Sequence, residues 1–164
     1  MKITTPRGTS PFLPVAVMLV VAAFAPAAIL QDKNPLAGTW NANLSKSKRH
    51  PNHLFKSATL RFTISDDAVT LSYSGVNMSG AEEKGTTRFH PDGKEHPLQG
   101  MPGAVEVSRW VGARILETVA RQDGKVIGQS TFEVSIDGKT LTATLKGTDA
   151  SGAWFEQVIV CDRA

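Results

Sequence analysis

The feature that most constrains this chain is a run of two-residue alternations, from Leu36 to Cys161, cut at short intervals by turn residues. Such alternation puts successive side chains on opposite faces of an extended strand, so each segment gains one apolar and one wet face. Trp40, Ala42 and Leu44 alternate with Asn41 and Asn43. Ala58, Leu60, Phe62 and Ile64 alternate with Thr59, Arg61 and Thr63, and Val69, Leu71 and Tyr73 with Thr70, Ser72 and Ser74. Further strands are expected over 86–90, 105–111, 114–121, 126–136, 140–145 and 154–161. A short helix fits 45–56, and no apolar repeat of helical period runs longer.

The links carry their own signal. Asp-Gly-Lys occurs at Asp92-Gly93-Lys94, Asp123-Gly124-Lys125 and Asp137-Gly138-Lys139. Gly takes a positive φ without a Cβ clash and Asp tolerates the left-handed region, so each tripeptide predicts a tight hairpin. Eight to ten one-sided strands joined this way predict an all-β, antiparallel up-and-down meander. It must close on itself as a barrel, or pair as two sheets, because an open sheet leaves its apolar face wet.

Ahead of this body, Lys2 and Arg7 precede the apolar run Phe12–Ala25 and the small-residue site Ala25-Pro26-Ala27. That order is a secretory signal, predicting a cleaved leader over 1–27, a mature start at Ala28 and a linker over 28–35 before a domain spanning 36–164. The run is shorter than the roughly 20 residues a spanning helix needs and contains Pro14, so no stable membrane anchor is expected after cleavage. The expected location is the periplasm or the medium. Without Lys2 and Arg7, 16 basic residues face 15 acidic ones, a formal charge of +1. The remaining basic cluster, Lys46, Lys48 and Arg49, reads as a solvated loop, so nucleic acid is not an expected partner.

At Gly38-Thr39-Trp40 the first strand resembles the Gly-x-Trp opening of lipocalins and their calycin relatives. The text Gly38–Lys48, with Asp137–Thr142 and Lys146–Gly152, is similar to that of small exported bacterial proteins of lipocalin-like type. The resemblance implies a lipocalin-like barrel whose Trp40 closes one end. It also implies that Arg163, by position, packs its guanidinium over that indole, a structural contact.

No catalytic constellation is visible: Gly-x-Ser-x-Gly, a Cys-His pairing and His-Glu-x-x-His are all missing from the sequence. The single Cys161 lies in an apolar strand and reads as inert packing. No phosphate-cradling loop precedes a helix, so no cofactor is implied. His90 and His96 flank the Asp92 turn and are weak metal candidates with Asp92 or Glu95, although His beside Pro in a polar segment is normally exposed. A resident metal is therefore not expected.

Charges on apparently apolar faces are the remaining anomaly: Arg109 shares parity with Val105 and Val107, Glu117 with Ile115 and Val119, and Glu156 with Val158 and Val160. Three readings follow. A bulge or two half-wet faces put the charges outside, an internal Arg109–Glu117 pair satisfies them, or Arg109 anchors a ligand head group. The resulting expectation is a non-enzymatic binding protein taking a small hydrophobic ligand, with Trp40, Phe62, Tyr73, Arg109 and Phe132 as candidate contacts. The alternative is a structural or protein-interaction module with a filled core. The sequence leaves the oligomeric state open.

Overall fold

The computed structural model describes residues 34–149 and 152–164. The leader expected over 1–27 and most of the linker lie outside the described residues. Ten strands form one antiparallel sheet: β1 (Gly38–Ala42), β2 (Phe55–Ile64), β3 (Val69–Asn77), β4 (Glu82–Phe89), β5 (Asp92–Pro97), β6 (Ala104–Trp110), β7 (Ile115–Gln122), β8 (Lys125–Val134), β9 (Thr140–Thr148) and β10 (Trp154–Arg163). Their hydrogen-bonded order is β4-β3-β2-β1-β10-β9-β8-β7-β6-β5. Strands β4 and β5 are the two ends of that order, yet only His90 and Pro91 separate them in sequence. The three steps from Phe89 to Asp92 reach only about 11 Å when extended, so the sheet has to curl until its ends meet at that link. The result is a curled meander with one seam at the β4–β5 link, where β4 approaches β6 and no ladder closes the sheet.

The seam corrects one expectation. Of the three Asp-Gly-Lys tripeptides, the second and third join paired strands, β7 to β8 and β8 to β9. Asp123 and Gly124 carry φ of 51° and 74°, the two consecutive positive values of a type I′ hairpin. The first tripeptide instead opens β5, which pairs with β6 through a bulge between Asp92 and Glu95. The Asp92 carboxylate accepts a hydrogen bond from the Lys94 amide (2.9 Å), as in a turn, but the strand that follows runs on to the far edge of the sheet.

Strand β1 is short and covers only the last residues of β10, pairing Trp40 with Arg163 and Ala42 with Cys161. The segment 43–54 continues the wall: the Lys48 and Val158 main chains exchange two hydrogen bonds, each 2.8 Å. Here the expected short helix shrinks to a 3-10 turn, Pro51–His53, in which the Asn52 amide donates to the His50 ring and the His53 amide to the His50 carbonyl. The Asn-x-Ser texts at 43–45 and 77–79 are both turns closed by the Asn side chain, which accepts from the following Ser hydroxyl (2.7 and 2.6 Å).

The packed core lies at the β1 end. Leu36, Trp40, Leu116, Val134, Leu141 and Cys161 have no exposed surface or next to none, and Phe62, Phe89 and Phe132 join their rings to the same cluster. The Phe62 and Phe132 rings meet edge to face at 5.2 Å between centroids. Trp40 is sealed from both sides: its indole N–H donates to the Leu36 carbonyl (3.0 Å), and the Arg163 guanidinium lies 4.1 Å from its ring centre. The same guanidinium donates to the carbonyls of Gly138 (2.6 Å), Ala37 (3.1 Å) and Pro35 (2.5 Å). The contact implied by the lipocalin resemblance is thus present and ties the segment before β1 to the β8–β9 turn.

Candidate functional site

Above the packed end, the inner faces of β2, β3 and β4 stand apart from those of β8, β9 and β10. They enclose a cavity of about 440 Å³. The change from plug to cavity can be followed along single strands. On β9, Leu141 is fully buried, Ala143 next on the same face is 1% exposed and already lines the cavity, and Leu145 is only partly buried. On β3, Val69 is buried while Tyr73, four residues on, is 43% exposed at the mouth. Tyr73 lies across Gly85 of β4; a Cβ there would run into the phenol ring. The glycine lets the strands keep their pairing with an aromatic side chain between them.

The walls are mainly apolar, carried by Phe55, Leu60, Leu71, Phe132, Leu145 and Ile159. Ser57, Ser74, Glu83, His53 and Gln157 interrupt them, and the last two carry buried polar atoms. Gln157 points inward from β10 and is 8% exposed, and its Oε1 has no hydrogen-bond partner within the described protein. His53, at the end of the 3-10 turn, packs its ring at a tilt on Phe155, 4.2 Å between ring centres, with its Nε2 buried and equally unpartnered. At the mouth, Glu83 accepts from Asn77 (2.9 Å). Gln157 did not stand out in the sequence, and His53, in the pair His50-x-x-His53 beside Pro51, reads there as an exposed residue. The signal was there for Gln157, which alternates with Ile159 and Cys161 on the parity opposite to the valines.

The structure divides the five expected ligand contacts. Phe132 and Tyr73 line the cavity. Trp40 and Phe62, 0% and 2% exposed, belong to the packed plug beneath it. Arg109 is corrected: it lies on the outer face, with its side chain 67% exposed. It does pair with Glu117 directly across β6 and β7, its Nε and Nη2 donating to Oε2 at 3.0 and 2.8 Å, but in solvent. Glu156 is also outside, paired with Lys146 at 3.3 Å.

The reason for the reversal is visible on β6. Its inner face carries Ala104, Glu106 and Ser108, all buried, while Val105 and Val107 are half-buried on the outer face. The aliphatic face of this strand points away from the interior. β-Branched residues are favoured on any pleated surface, so parity of valines does not by itself name the inside.

Inside β6, near the seam, a second and more polar recess of about 680 Å³ is bounded by His90, His96, Leu98, Met101 and Glu106. Glu106 is 4% exposed, and the Ser108 hydroxyl donates to its carboxylate. Burial raises the Glu106 pKa above the ordinary carboxylate value, against the opposing pull of Ser108 and the two histidines. The His90 and His96 rings stack at 4.4 Å, and His96 meets Asp92 at 3.0 Å, so the turn does gather them. No group of three or more His, Cys, Asp or Glu side chains among the described residues is arranged to hold a metal ion. Cys161 is buried, and burial with the neighbouring Asp162 charge pushes its pKa up to about 11, which keeps the thiol protonated and unreactive near neutral pH.

No protein-family model and no curated protein matches the chain. Solved structures do. The fluorescent protein UnaG is 20% identical, with a TM-score of 0.53 over 78% of this chain and 96% of that one. A zebrafish ileal bile acid-binding protein complexed with cholic acid is 14% identical, with a TM-score of 0.50 over 79% of this chain and 99% of that one. At these identities the likeness speaks for the fold, and it agrees with the curled ten-stranded meander: the described domain has the calycin-type, lipocalin-like β-barrel fold.

Proposed function

We propose that this is an exported, non-enzymatic binding protein that holds one small, largely apolar molecule in the cavity above the Trp40 plug. The cavity itself carries the reading. Its volume of about 440 Å³ falls within the roughly 300–1,000 Å³ usual for small-molecule sites, and its walls are mainly apolar with a few polar groups. The cholic acid held by the similarly folded zebrafish protein supports the same use of this barrel type. The leader pattern Lys2, Arg7 and Phe12–Ala27 is what supports export to the periplasm or the medium. Burial of an apolar ligand in such a site gains about 25 cal/mol per Å² of surface removed from water, so affinity here would come mainly from area.

The test is titration with the fluorescent probe N-phenyl-1-naphthylamine, comparing wild type with Ala58→Phe, which fills the cavity from the β2 wall. We expect one equivalent of bound probe in the wild type and a loss of at least about tenfold in affinity for the variant at an unchanged urea midpoint. No binding by the wild type, or equal binding by the variant, overturns the proposal. The first of these results would favour the interaction-module alternative.

A further inference from the structure

Resting on the reading of the cavity as a ligand site, we propose that it selects an uncharged ligand carrying a hydrogen-bond donor, a hydroxyl or an amide N–H, which binds Gln157 Oε1. A buried side-chain oxygen without a partner is rare in folded proteins and unfavourable, because it has given up water and received nothing in return. Gln157 Oε1 is such an atom. It belongs to a side chain more than nine-tenths buried, and that side chain lines the cavity. A second buried atom on the same cavity, His53 Nε2, also lacks a partner and can accept or donate according to its tautomer. Two buried polar atoms without partners, on residues that line one mainly apolar space, are the complement of a ligand with one or two neutral polar groups on an apolar frame.

The charge of the lining decides against an acid. No Arg or Lys is among the described residues that line the cavity, and the carboxylate at its mouth is Glu83. At pH 8, where an ordinary histidine is neutral, an acidic ligand would bring an anion past Glu83 into a mainly apolar site that offers no Arg or Lys, and a buried charge without a partner is strongly disfavoured. Arg109, the residue whose charge suits a carboxylate, is outside the barrel. A neutral donor meets none of these penalties and satisfies the orphaned oxygen.

The test is displacement of N-phenyl-1-naphthylamine at pH 8 by three compounds of equal chain length: 1-dodecanol, dodecyl methyl ether and dodecanoate. These supply a donor, an acceptor alone and an anion. We expect the alcohol to bind the wild type about tenfold or more tighter than either of the others. In Gln157→Leu, which replaces an unsatisfied polar group with an apolar one of similar size, the alcohol and ether should become equal while ether affinity is kept. Dodecanoate binding as tightly as the alcohol, or an alcohol preference that survives in Gln157→Leu, overturns the inference. Should the variant not fold, the wild-type ranking decides alone. Wild type that binds neither probe nor any of the three compounds removes the ligand site itself, whereas binding of all three without preference removes only the selection for a donor.

Discussion

The two ends of this barrel are built from the same strands and differ in what their inner faces carry. At the Trp40 end, Leu36, Leu116, Val134, Leu141 and three phenylalanine rings fill the space, and the Arg163 guanidinium closes the outside through Trp40 and three carbonyls. At the other end the inward positions of the same strands hold Ala58, Gly75, Leu145 and Gln157, and the walls enclose a cavity. One end is where large side chains stabilise the fold. At the other, side chains as large as Leu145 and Gln157 line the walls without filling the space between them.

The sharpest way to break this comparison is the same substitution at both ends of one strand. Leu141 and Leu145 share the inner face of β9, one fully buried in the plug and the other partly buried at the cavity. Leu141→Ala should cost about 3–5 kcal/mol, because it opens a void among fixed neighbours. Leu145→Ala should cost only about 1–2 kcal/mol, since it removes contacts beside a space that already exists. Equal shifts in urea midpoint would show that the two ends are packed alike.

Arg163→Met tests how far the plug depends on its outer seal. It removes the cation–π contact and three hydrogen bonds while keeping an apolar stem over the indole, so a loss of about 1–3 kcal/mol is expected by thermal or urea unfolding. A change no larger than that of an ordinary surface substitution would make the seal incidental.

Glu106 distinguishes the polar seam from both ends. Its folded-state pKa is raised, so the native state holds this proton more tightly than the unfolded chain does. The stability it contributes is full in acid, below the ordinary carboxylate value of 4.5, and is lost as pH rises through the raised value. Glu106→Gln keeps an acceptor for the Ser108 hydroxyl and cannot ionise. Subtracting its unfolding free energy from that of the wild type should therefore leave a difference that falls with pH across this window and then levels. A flat difference would show that Glu106 is not held in a desolvated site.

The smallest effect belongs to the outer face. Arg109→Met should change stability by less than about 1 kcal/mol, since an exposed ion pair is screened and its loss leaves Glu117 in water. It should also leave probe binding unaltered. A change of several kcal/mol or a weakened probe would return Arg109 to the interior.

Much of this architecture is legible in the residues. The alternation between Leu36 and Cys161 fixes nearly every strand, Asp123-Gly124 fixes a hairpin through two positive φ values, and Gly38-Thr39-Trp40 marks the end that is packed. These are local consequences of φ preference and of the two-residue period, which the chain expresses wherever it lies. The cavity, the seam and the direction of each face are different in kind. Period two says that Arg109 and Val107 share a face of β6, but which face looks inward depends on how the whole sheet curls, and that is fixed only when β4 and β5 meet across His90 and Pro91. Only at that stage do Gln157 and His53 become neighbours of one cavity with their polar atoms unpaired. In this protein the sequence determines the strands, their turns and the plugged end, because those follow from neighbours in the chain. Tertiary structure alone decides inside from outside, and filled from open, because those depend on side chains brought together from strands far apart in it.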